Sequence, residues 1–143
     1  MSLIAAAMVS GIIATALMTT FLFLPAWFGW QRVDVVRAVG ALVSHDREHA
    51  LTPGLVIHFA MGAAFACLYA FALQFMGWPM GPLSGAFLGF IHGVLVMLFV
   101  AIIIMEHHPM DRYRDRGLET GLAQIAGHVV YGLTVGTFLQ ILY

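Results

Sequence analysis

Three histidines, His58, His92 and His128, stand inside long apolar stretches of a 143-residue chain in which only 9% of side chains are charged. Ionisable groups within membrane-length segments are costly and usually face a partner, a cavity or a cofactor. Imidazoles facing each other from different helices can be the axial ligands of haem b. Tyr131 follows His128 on the same helix face, where it can donate a hydrogen bond or take part in redox chemistry. The same rings can instead be satisfied by carbonyls or hydroxyls of neighbouring helices, so both readings stay open.

A second set lies in polar connections: His45 and His49 in "SHDREH", and Glu106, His107 and His108 in "MEHHP". On a helix, His45 and His49 at i, i+4 would share a face, a spacing that can chelate a metal. Glu48, Glu106 and Glu119 would add carboxylate oxygens, a mixed donor set suited to iron, copper or zinc. The alternative is a solvated polar cap laced with Arg–carboxylate pairs. The His-x3-His and His-His pairs resemble the histidine boxes of membrane fatty-acid desaturases, but they are too few for that family's two-iron site.

The elements that must carry these residues follow from composition. Hydrophobic residues make up 62% of the chain and mean hydropathy is +0.94, whereas soluble domains carry about 25% charged residues. Four segments exceed the ~18 apolar residues that cross a bilayer: about 3–26, 54–76, 83–105 and 118–142. They predict an all-α integral membrane four-helix bundle within a single transmembrane domain, 1–143. Thr52-Pro53 reads as a capped start for the second span. A short amphipathic helix is expected at about 31–45, lying in the interface with its apolar stripe of Val35, Val36, Val39, Leu42 and Val43. Trp27 and Trp30 before it suit anchors at headgroup depth.

All Asp, Glu and Arg residues fall in the 27–52 and 106–119 connections, and the chain has no lysine. Arginine on one side predicts cytoplasmic connections and external termini, in a bacterial inner membrane. Net charge is −1 and no basic patch exists, which argues against a nucleic-acid surface. Without lysine there can be no retinal-type Schiff base, and the single Cys67 allows no intrachain disulfide. The methionines are scattered over the spans, as packing residues are.

In the third span a glycine recurs every four residues: Gly81, Gly85, Gly89 and Gly93. Gly132 and Gly136 mark the last span, Gly62, Ala66 and Ala70 the second, and Ala7, Gly11, Thr15 and Thr19 the first. Small residues at this spacing let membrane helices approach closely. The rows are expected to serve the bundle itself; the alternative is a homo-oligomer or a larger membrane complex. "HFAMGAAFA" and "HVVYGLTVG" share a His-x3-Gly-x3-small pattern, which suggests a helix–connection–helix unit used twice.

"GIIATALMTT" in the first span and "GHVVYGLTVG" in the last are similar to segments of small, uncharacterised four-span bacterial inner-membrane proteins of the YagU-like type. The resemblance implies four spans and transfers no activity. No phosphate loop, Ser-His-Asp order or nucleophile elbow is present, so whether the protein is an enzyme stays open. The sequence therefore points to a small membrane protein that holds a redox cofactor or transition metal through its histidines. The alternatives are a non-catalytic accessory subunit and a histidine-relay transporter for protons or solutes.

Overall fold

The computed structural model describes residues 1–27, 34–114 and 118–143. Its helices are α1 (Leu3–Trp27), α2 (Val35–Ser44), α3 (Leu51–Met76), α4 (Pro82–Phe99) and α5 (Leu118–Leu142). α4 continues into a π-helical segment, Val100–Glu106, and a 3-10 turn spans Asp111–Tyr113. No strand occurs among the described residues. The protein is all-α, and four of its helices are long and apolar enough to cross a membrane. Large apolar side chains cover the outside, with Phe75 94% and Leu83 86% exposed. Such a surface belongs against lipid.

Backbone proximity organises the bundle into two pairs. In the α4/α5 pair, a Cβ on Gly85 would run into the Gly132 carbonyl and lie 2.9 Å from Gly136 Cα. A Cβ on Gly89 would run into the His128 carbonyl, and one on Gly93 would lie 2.8 Å from Ile125 Cα. Gly136 in turn faces the Gly81 carbonyl. The glycine row of the third span is thus occupied inside the chain, by the Gly132–Gly136 edge of the fourth. In the α1/α3 pair, a Cβ on Gly11 would stand 2.6 Å from Gly62 O and 2.7 Å from Ala66 Cβ, and Gly62 faces Thr15. The small-residue edges of the first two spans therefore meet.

α1 joins the pairs by packing along α5, where Gly127 sits against Leu22 and Met18. The core between them includes Ala14, Met18, Tyr69, Leu73, Tyr131, Val135 and Leu139. α3 and α4, although sequential, make little backbone contact and meet through side chains, where His92 reaches Phe65 and Tyr69. The turn between them ends α3 with Gly77 at φ 65° and starts α4 with Pro82 after an extended Gly81. A gap is left between their backbones.

The polar connections differ from expectation in two respects. Helix α2 ends at Ser44, with His45 in the left-handed conformation at φ 54°. His45 and His49 consequently do not share a helix face, and the i, i+4 chelating pair does not form. Residues 31–33 of the expected interfacial helix, with Arg32 and Trp30, lie outside the described residues. The face of α2 that becomes buried is the small one, Ala38, Gly40 and Ala41. A Cβ on Gly40 would strike the Ala50 carbonyl, and one on Gly54 the Val36 carbonyl. α2 is clamped backbone to backbone across the start of α3.

That contact also explains the corrected start of α3. The helix begins at Leu51 with Ala50 as N-cap and no side-chain cap bond, so Thr52 does not cap it. Pro53 lies in the first turn, where a missing amide costs no hydrogen bond. Tertiary packing by α2 takes the place of the cap.

Both charged connections gather at one end of the bundle. His108 Nε2 donates to the Ala38 carbonyl at 3.0 Å, and Arg114 Nε donates to the His108 carbonyl at 2.6 Å. Ala38, Ala41, Ala50, Val100, Ile104 and Tyr113 form a second small core beneath them.

Candidate functional site

The gap between α3 and α4 is a cavity of about 690 Å³. His58 and Gly62 from α3, His92 and Val96 from α4, and Gln124, His128 and Tyr131 from α5 line it, with Thr15 and Thr19 of α1 behind. Val35, Val36 and Val39 of α2 close its polar end. Its size falls in the range of small-molecule sites. Met61, Leu95 and Phe99 on its rim are also exposed on the outer surface, at 49%, 60% and 47%. The cavity therefore opens sideways into the bilayer region.

The three embedded histidines all border this space, in different settings. Thr19 donates its hydroxyl proton to the Thr15 carbonyl, so its oxygen accepts from His58 Nε2 at 3.0 Å. That leaves Nδ1 of His58 with the lone pair. His128 Nδ1 lies 2.7 Å from the Gln124 carbonyl. A carbonyl can only accept, so Nδ1 carries the proton and Nε2 the lone pair. His92 Nδ1 meets the Tyr69 hydroxyl at 3.1 Å. The His92 ring lies against Phe65 at 4.0 Å between centroids and edge-on to His128 at 4.6 Å. Tyr131 donates to the Gly62 carbonyl at 2.5 Å, tying α5 to α3 across the core.

This arrangement does not fit a haem held between His92 and His128. Metal–imidazole bonds of about 2 Å on each side of the macrocycle require ring centroids roughly 6 Å apart or more. The observed rings are in contact, with no room for a macrocycle between them. Nor do the described residues bring three or more His, Cys, Asp or Glu side chains together in a set that could hold a metal ion.

The cap histidines confirm this dispersal by their individual contacts. His45 turns back onto the Val43 carbonyl at 3.0 Å. His49 pairs with Asp46 at 2.5 Å on the surface, and this ring holds the Asp46 carboxyl below its usual value, helped by the Glu48 amide. His107 is exposed and donates to the Ile102 carbonyl at 2.7 Å. His108 is fully buried and accepts from the Met110 amide at 3.0 Å while donating to Ala38. It is a staple between α2 and the second connection. Glu106 and Glu119 are exposed. The second candidate set is thus a polar cap whose members point in different directions.

Four contributors to the embedded site were not singled out from the sequence for this role: Gln124, Phe65, Tyr69 and Thr19. Gln124 precedes His128 by one helical turn and is a polar side chain in an apolar span. That signal was available. Phe65 and Tyr69 look like ordinary packing residues until the fold brings them against His92.

No curated protein and no solved structure matches the chain. A family model does match, over residues 1–143. It carries no information on the YagU-like type, and what it establishes is membership of an uncharacterised family across the whole length. With four membrane-capable helices and a histidine-lined cavity between two of them, the chain belongs to DUF6789, a family of unknown function.

Proposed function

We propose that this protein binds a lipid-soluble organic molecule, received from the bilayer through the α3/α4 gap and held by its polar end at the histidine cavity. The reading replaces haem or a chelated metal with an organic cofactor or substrate at the same embedded histidines. One observation carries it: about 690 Å³ of mostly apolar space, bordered by His58, His92 and His128, reached from the lipid-facing side. Apolar pockets with a few convergent polar groups are the usual form of a small-molecule site. The glycine row does not support a docking edge for a partner subunit, because α5 already covers Gly85, Gly89 and Gly93.

The arginine-rich cap is placed on the cytoplasmic side and both termini outside, following the positive-inside bias. The cavity, closed at the cap end by α2, then lies in the cytoplasmic half of a bacterial inner membrane. Organic extraction of the protein purified in mild detergent, followed by mass spectrometry, tests the binding. The wild type should retain a lipid-soluble compound near stoichiometry, and the cavity-filling variant Val96→Trp should lose it while staying folded. Extracts from the two proteins that match each other and contain only bulk lipid would refute the proposal.

A further inference from the structure

One residue of the cavity lining carries an unmatched hydrogen-bond donor. Gln124 is 4% exposed and its Nε2 has no hydrogen-bond partner among the described residues. A buried amide left unsatisfied is costly, and native proteins keep few such groups. Its backbone carbonyl is the group that orients His128. The same turn of α5 thus carries an unpaired donor, Gln124 Nε2, and an acceptor, His128 Nε2.

Charge narrows the ligand further. Among the described residues no arginine lines the cavity, and the chain has no lysine. Asp34, at the α2 end, is paired with Arg37 at 3.1 Å and caps α2. Against the described lining, a phosphate or carboxylate headgroup would enter without a counter-ion, at a large desolvation cost. The fitting headgroup is neutral, with an oxygen that accepts from Gln124 and, when hydroxylated, donates to His128. The aromatic wall of Phe65 and His92, 33° apart in plane, favours a flat ring over a branched head. The sideways opening lets an alkyl or isoprenoid tail remain in lipid.

From these features we infer that the cavity takes an uncharged ring carbonyl compound of the quinone/quinol class, with its carbonyl on Gln124 Nε2 and its quinol hydroxyl on His128 Nε2. The inference rests on the lipid-soluble ligand proposed above and specifies its headgroup. The site is assigned binding only, with no electron transfer.

The test uses the full chain in phosphatidylcholine nanodiscs, titrated with decylubiquinone and with decylbenzene as an apolar counterpart. Wild type should bind the quinone at least ~10-fold more tightly than decylbenzene. Gln124→Met, close in volume, should weaken quinone binding by ~5–10-fold and leave decylbenzene binding unchanged, which also shows that the variant is folded. The infrared stretch of the bound quinone carbonyl should shift down in wild type and return in the variant. Equal binding of both probes with no effect of Gln124→Met would overturn the quinone assignment and leave the cavity reading intact. Binding of decylbenzene without the quinone would likewise overturn the quinone assignment, and failure of both probes to bind the wild type would remove both readings.

Discussion

The α4/α5 contact allows a prediction in which two effects have opposite signs. Replacing Gly89 with Ala in a free helix should stabilise it by about 1 kcal/mol, because glycine is the poorer helix former. In this bundle the added methyl would collide with the His128 carbonyl and lie 3.1 Å from both Gly132 Cα and His128 C. Comfortable carbon–carbon contact is about 3.5–4.0 Å, and all three obstructing atoms are backbone that cannot rotate away. The helices must therefore part by roughly half an ångström to one ångström along this row, forfeiting about a quarter to half of each local dispersion well. Overpacking of this kind typically costs about 1–3 kcal/mol, so Gly89→Ala should be destabilising by about 1–2 kcal/mol and Gly89→Leu by more. Reversible unfolding in mixed micelles, followed by circular dichroism, reads the change. Gly121→Ala is the internal control, because the methyl there meets chiefly the flexible Met97 side chain, 2.7 Å from Cγ, and should be tolerated far better. A stabilised Gly89→Ala protein would show that α4 and α5 do not approach as closely as described.

Two further outcomes follow from hydrogen bonds. Tyr131→Phe removes the donor to the Gly62 carbonyl and should lower stability by about 1 kcal/mol, measured in the same unfolding assay; no change would mean that this bridge between α5 and α3 contributes nothing. At the cap, the His49 ring and the Glu48 amide hold the Asp46 carboxyl below its ordinary value. A depressed carboxylate pKa gives stability that is present above the unfolded value and lost as pH falls through the folded one. Carbon-13 titration of the Asp46 carboxyl should therefore give a low pKa that moves back up in His49→Ala, and an identical titration in both proteins would discard the pairing.

Much of the architecture was legible along the chain because a bilayer restricts the options severely. In lipid every backbone polar group must be paired internally, so apolar runs of sufficient length become helices whatever their detailed packing, and four long apolar helices coincide with the four apolar runs to within a few residues. Small residues at four-residue spacing likewise announce close backbone contact, although not which helices make it. The segregation of charge into two connections also showed in composition alone.

What the linear pattern did not contain was the relative placement of the pairs. α4 packs on α5, α5 on α1 and α1 on α3, while the backbones of α3 and α4 keep apart; that order created the cavity and chose which histidines share it. The same three-dimensional decision brought His92 and His128 into direct contact, closing the space a haem would need, and left Gln124 Nε2 without a partner among the described residues. It also ended α2 at Ser44, one residue before the pair whose spacing suggested a chelate. Local sequence governs which segments are helical and which edges are small, since those depend on near neighbours and on the solvent. Where a side chain points, and what it finds there, depends on backbones many residues away.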